Sequence, residues 1–279
     1  MRSISQCLPL AVLAMFVTAC DQATAPTSSP VRALDLRTPN ASISDAANGG
    51  RLGFYFLPPL VANPGTFDGT FDATLEPYVT ICELITETGA CSDAGDIMTI
   101  PFGGDGPTAV TADALSESYN ANWNRPTLDI GKYRLAVRVH SSAVGSHQIR
   151  LGFVDLQVIS KKKDPVDAGF VPVVKGSPIP FKFRIETGTV GGVRVGGTHV
   201  FVVGSSEAVR VFVFDLKDRV ISCPTLTWTS SNPGVMSIGA TTGVFEAVSV
   251  GVATITGACR GVSGSAEFSV VPLPVPDEP

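Results

Sequence analysis

Six cysteines and three histidines are the residues best suited to covalent or coordination chemistry in this 279-residue chain. A thiolate can attack, ligate a soft metal or close a disulfide, and an imidazole can move protons or ligate. Spacing decides among these roles. Cys7 lies inside an apolar N-terminal run and Cys20 at its end. The remaining four, Cys82, Cys91, Cys223 and Cys259, allow three pairings. Sequence distance and the domain division below favour Cys82–Cys91 and Cys223–Cys259 as structural disulfides. A metal site is the weaker reading, because no second close-spaced pair accompanies Cys82 and Cys91 and the histidines are scattered. His140-Ser141-Ser142 sets a base beside two hydroxyls, but neighbouring side chains on a strand point apart, so the trio reads as incidental. His147 and His199 read as loop or strand-edge residues. Gly103-Gly104-Asp105-Gly106 has the composition of a phosphate or calcium loop, yet lacks a following helix or a second carboxylate at fixed spacing and reads as a turn. Asp68, Asp72, Asp93 and Asp96 could offer oxygens to Ca²⁺ between loops, although acidic loop residues are common without metal. Tyr119, Trp123 and Tyr133 could stack on a sugar, with a place in the core as the competing reading. The sequence has no GxSxG elbow, HExxH, Walker loop, GxGxxG or EF-hand pattern. The expectation is a protein that is not an enzyme, with no catalytic residue, metal or cofactor.

The elements that must position these residues are strands. Charged residues make up only 16% of the chain, while Gly (28) and Pro (21) are plentiful, and Val, Thr and Phe abound. That combination favours β-structure punctuated by turns. The net charge is −5, and Lys161-Lys162-Lys163 is the one basic run, best read as a solvated turn. Phosphate backbones require clustered Lys and Arg, so nucleic acid is excluded as a partner.

The chain begins with Arg2, an apolar run from Leu8 to Val17, and then Val17-Thr18-Ala19-Cys20. This resembles the lipobox of bacterial lipoprotein signal peptides. The resemblance implies that residues 1–19 are removed and that Cys20 becomes a lipidated N-terminus, anchoring the protein to a membrane of the cell envelope. A transmembrane span needs about 20 apolar residues, and the run is cut off by Asp21-Gln22. An ordinary secretory signal ending at Ala19 is the alternative. Asp21 resembles an inner-membrane retention signal of enteric bacteria, which leaves both the outer membrane and the periplasmic face of the inner membrane open. In such an oxidising compartment the four remaining cysteines would pair. Residues 20–49 are rich in Ala, Thr, Ser, Pro, Asn and Asp, a composition expected to form a disordered tether reaching about 30 Å.

Residues 50–188 carry strand-like segments at 52–57, 78–85, 97–100, 132–139, 149–159 and 181–185, separated by turn formers. Tyr133, Leu135, Val137 and Val139 fall on one face of the clearest of these. One helix is conceivable over 111–119. The expected class is all-β, with this region a β-sandwich of no named family.

Residues 193–271 contain Thr227-Trp228-Thr229-Ser230-Ser231-Asn232-Pro233-Gly234-Val235, Thr242-Gly243-Val244-Phe245-Glu246-Ala247-Val248 and Gly251-Val252-Ala253-Thr254-Ile255-Thr256. These stretches resemble the bacterial immunoglobulin-like, group 2 family over about 80 residues. The resemblance implies a second β-sandwich in which Trp228 and Ile255 fill the core and Asn232, Gly243 and Gly251 shape turns. Met236 departs from the family's usual Ala, the turn before Gly243 is slightly long, and the Cys223–Cys259 pairing is not typical of the family. Residues 272–279 form a Pro-rich acidic tail, expected to be disordered. Such domains often serve as spacers or adhesion modules. The expected role is therefore lipid-anchored display for adhesion to, or binding of, a protein or glycan. The alternatives are a structural spacer supporting a small-ligand or Ca²⁺-binding domain at 50–188, or an envelope hydrolase.

Overall fold

Alternation between Gly131 and Val139 builds the central strand of the first lobe: Tyr133, Leu135, Val137 and Val139 are buried in one core cluster. The computed structural model describes residues 43–85, 89–104, 108–123, 128–142, 148–197 and 199–274. Strands account for nearly all its regular structure, and the fold is an all-β sandwich type with no α-helix among the described residues. No helix of those residues is long and apolar enough to cross a membrane.

The first lobe comprises β1 (Ile43–Ser44), β2 (Phe54–Leu57), β3 (Tyr78–Leu84), β4 (Cys91–Ile100), β5 (Thr111–Asp113), β6 (Ser118–Trp123), β7 (Gly131–Val139), β8 (Ile149–Ile159), β9 (Val171–Val174) and β10 (Ile179–Ile185). One sheet runs β1-β8-β7-β3-β4, with β9 added parallel to β8; the other runs β2-β10-β6-β5. Phe54, Phe56, Phe181, Phe183 and Tyr119 from the smaller sheet meet Val79, Ile81, Leu135 and Leu156 from the larger one. This is the packing of two apolar faces whose opposite faces carry polar residues.

Four expectations change here. Residues 43–49, expected within the tether, belong to the lobe. Ile43 and Ser44 pair with Val154 and Phe153. Asp45 is 1% exposed and accepts from the backbone of Asn48 (3.0 Å) and Phe56 (2.9 Å). A single capping carboxylate outweighs the polar composition around it. The close approach needs Gly152, where a Cβ would lie 2.1 Å from the Ser44 carbonyl oxygen. Residues 111–119, the conceivable helix, form the β5–β6 hairpin instead. Asp113 accepts from the Leu115 and Ser116 amides and turns the chain, the local competition that disfavours helix. The segment at 97–100 is the end of a longer strand, β4, with Gly95 at φ 75° in the middle. Finally, β9 was not foreseen; its Pro172 is tolerated because the strand lies at an edge.

The second lobe comprises β11 (Val190–Gly196), β12 (Val200–Val202), β13 (Ser206–Ala208), β14 (Arg210–Asp215), β15 (Val220–Ile221), β16 (Thr227–Ser230), β17 (Met236–Ile238), β18 (Val244–Ala247), β19 (Gly251–Cys259) and β20 (Val262–Val271). They form the sheets β11-β14-β15, β12-β20-β19-β16 and β13-β18-β17. Ala253, Ile255, Gly257 and Cys259 alternate inward along β19. Trp228, Met236, Phe245 and Phe268 complete the core. Beyond β20, residues 272–274 have no regular structure.

Candidate functional site

Both expected disulfides are formed: Cys82–Cys91 ties β3 to β4 across a Cα separation of 5.5 Å, and Cys223–Cys259 spans 6.2 Å. Disulfides of this kind fit an extracytoplasmic, oxidising location. Cys20 and the whole of residues 1–42 lie outside the described residues. Trp228 is buried and Ile255 fully so. Asn232 accepts from the Val235 and Met236 amides at 3.0 Å each, closing the turn at Pro233-Gly234. Gly243 has φ 66° and Gly251 φ 153°.

The chemistry-bearing candidates are dispersed. Tyr119, Trp123 and Tyr133 are core residues, so no aromatic platform is presented by them. The Tyr119 hydroxyl donates to the Asp72 carbonyl at 2.5 Å, and burial raises its pKa. Among the described residues, no group of three or more His, Cys, Asp or Glu converges as metal ligands would. Asp105, Gly106 and His147 lie outside the described residues, as does the side chain of Asp93. Lys161, Lys162 and Lys163 are exposed on a turn.

Ser141 and Ser142 engage a carboxylate of the other lobe. Ser141 Oγ donates to Asp218 Oδ1 (2.5 Å), and the Ser142 amide and hydroxyl donate to Asp218 Oδ2 (2.9 and 2.7 Å). His140 stacks on Tyr78, with ring centroids 4.7 Å apart. Asp218 belongs to the turn between β14 and β15, whose shape is set by Asp215. That carboxylate is 2% exposed and accepts from the Lys217 and Arg219 amides and from the Arg219 guanidinium. Leu216 joins the first lobe's core, and Lys217 Nζ donates to both oxygens of Asp72 at 2.9 and 2.8 Å. Burial alone would raise the pKa of Asp72, but bonds from Lys217 and Thr74 hold it below the ordinary value. Three consecutive residues, Leu216-Lys217-Asp218, thus plug the second lobe into the first. Arg51 adds a hydrogen bond to the Val190 carbonyl.

Among the described residues, two further places stand out. One is a cleft of about 610 Å³ in the second lobe, bounded by Phe201, Phe245 and Phe268, with Glu207 and Arg210 among its walls. The other is the outward face of the first lobe's larger sheet. With Tyr133, Leu135 and Val137 turned inward, Arg134, Ala136 and Arg138 take the opposite face of β7. Arg134 forms a two-pronged pair with Asp155 at 2.7 and 2.9 Å, and its guanidinium lies 3.8 Å over the Phe153 ring. Arg150 lies 5.3 Å over the same ring and faces Arg138 directly across the strands. Burial, followed by the charges of Arg134 and Arg138, lowers the pKa of Arg150. The spacing of Arg134 and Arg138 opposite an inward-facing alternation was a readable signal of this face. Arg150 was not readable, because a bulge between Val137 and Arg138 sets its register.

No protein-family model matches the chain, and no curated protein sequence does.

Proposed function

We propose that the chain is a lipid-anchored, non-catalytic protein of the bacterial cell envelope that presents a rigid two-lobe β body for adhesion to, or binding of, a protein or glycan. The observation that carries this reading is the Leu216-Lys217-Asp218 plug. The hydroxyls and carboxylates nearest to a reactive arrangement are spent on holding two sandwiches together, which suits a presenter of surface. The lipobox-like Val17-Thr18-Ala19-Cys20 and the group 2 immunoglobulin-like stretches around Trp228 support anchoring and adhesion.

The lipid-free chain from Asp21 to Pro279 on a combined glycan and matrix-protein array tests the binding role. Specific capture by one ligand class is expected, and a blank across both would refute it. Palmitate labelling in a lipoprotein-processing host tests the anchor. Label is expected on the native chain and lost in Cys20→Ala, and label that survives the substitution refutes anchoring at Cys20. A second reading, a spacer that carries a small-ligand site, draws on the cleft beside Phe245 and Phe268, which lies in the second lobe and not in 50–188.

A further inference from the structure

We propose that the outward face of the larger first-lobe sheet binds the oxyanion groups of an acidic glycan between Arg138 and Arg150. This deepens the binding role proposed above and rests on it. Arg138 and Arg150 are directly opposite on β7 and β8, and like charges so placed destabilise a sheet. Neighbouring cations of that sheet are neutralised, Arg134 by Asp155 and Lys132 by Asp167 at 2.6 Å. Among the described residues neither Arg138 nor Arg150 has a carboxylate partner. Both are nevertheless held: Arg138 Nε donates to Thr80 Oγ1 at 3.1 Å, and Arg150 lies over Phe153. Guanidinium forks fixed in this way keep further N–H donors for an anion at little entropic cost.

Tyr78 supplies a second, independent sign. It pairs with Arg138 across β3 and β7 and is 8% exposed, yet its buried hydroxyl has no hydrogen-bond partner among the described residues. Such groups are rare and need an explanation. A ligand oxygen seated beside Arg138 would provide the missing acceptor. The location selects the class of ligand. β7 is interior, paired on both sides by β3 and β8, so an extended peptide cannot add to it through main-chain bonds as it would at an edge. The exposed His140 ring, stacked on Tyr78, offers a flat face beside the cations for a sugar ring.

The test is titration calorimetry of the full mature chain with a polyuronate oligosaccharide, a sulfated oligosaccharide, a neutral glucan of equal length and polyglutamate. Binding of one or both acidic oligosaccharides and not of the glucan is expected, weakening about tenfold from about 20 to about 300 mM salt as screening sets in. A response to only one of them identifies the oxyanion as carboxylate or sulfate. Arg138→Gln/Arg150→Gln should lower affinity about tenfold or more, equivalent to at least about 1.4 kcal/mol. Its melting temperature should be unchanged or higher, since a like-charge pair is removed. Arg150→Gln alone, at an exposed position, gives the same direction should the double variant fail to fold. Lys162→Gln on the distant turn should leave affinity unchanged. Three results would overturn the inference: no acidic oligosaccharide bound, affinity indifferent to both arginine variants, or polyglutamate bound as tightly as the polyuronate. Should acidic glycans fail while another glycan or a matrix protein binds on the array, this inference falls and the binding role stands.

Discussion

Trp228 lies against two glycines, and each is there for a different reason. A Cβ on Gly257 would approach the indole at 3.0 Å, so the absence of a side chain gives the ring its place. Gly243 has both constraints at once: φ is 66°, and a Cβ would come within 2.6 Å of Trp228 Nε1. Gly243→Ala therefore combines backbone strain of about 1 kcal/mol with overpacking of about 1–3 kcal/mol. Gly204 has φ 87° and open space around its Cβ position, so Gly204→Ala should lose only about 1 kcal/mol. Urea unfolding followed by tryptophan fluorescence checks the contrast. Equal midpoints for the two variants would mean that the Trp228 contact is not what requires Gly243. The sequence made part of this site legible, since the resemblance of its stretches implies a core Trp228 and a turn at Gly243; the contact between them comes from the fold. Arg150 gave no such signal, since its meaning here comes from the register between β7 and β8.

At the scale of elements, short chemical devices decide where strands begin and end. Asp45 holds both the turn at Ala46–Asn48 and, through the Phe56 amide, strand β2. Asp45→Ala leaves these donors unmet inside the lobe and should destabilise it by about 2 kcal/mol, read as a lower denaturation midpoint. An unchanged midpoint would return residues 43–49 to the tether. The disulfides provide a comparison by loop length. Cys82–Cys91 closes a separation of 9 residues and Cys223–Cys259 one of 36. By loop-closure entropy, replacing the second pair with alanines should cost about 1 kcal/mol more than replacing the first. Alternation made β7 and β19 legible, because a half-buried strand imposes period 2 directly on residue type. The β5–β6 hairpin was misread because the side-chain bonds of Asp113 operate at a scale that periodicity does not record. β1 was missed because it is set by a neighbour distant in sequence, β8, and β9 because Pro172 interrupts its pattern as a strand.

For the whole molecule, the Leu216-Lys217-Asp218 plug makes a prediction about cooperativity. Lys217 and Asp72 form a pair with side-chain exposures of 29% and 6%, so its loss should cost about 2 kcal/mol, between the surface and buried limits. The folded pKa of Asp72 lies below its ordinary value because Lys217 and Thr74 outweigh the effect of burial. The stability this contributes is therefore complete above the unfolded carboxylate value of about 3.9 and disappears as pH falls through the lower folded value. The two lobes should unfold in one calorimetric transition at neutral pH and in two once the pH has fallen below the folded value of Asp72. Lys217→Met combined with Asp218→Asn should split the transition already at neutral pH. Met preserves much of the length of Lys217 while removing its charge, and Asn weakens the bonds from Ser141 and Ser142. Separate transitions in the unmodified chain at neutral pH, or a single one in the double variant, would show that the plug does not unite the lobes. The plug adds side-chain contacts between the lobes to the covalent link of β10 to β11, the short segment 186–189.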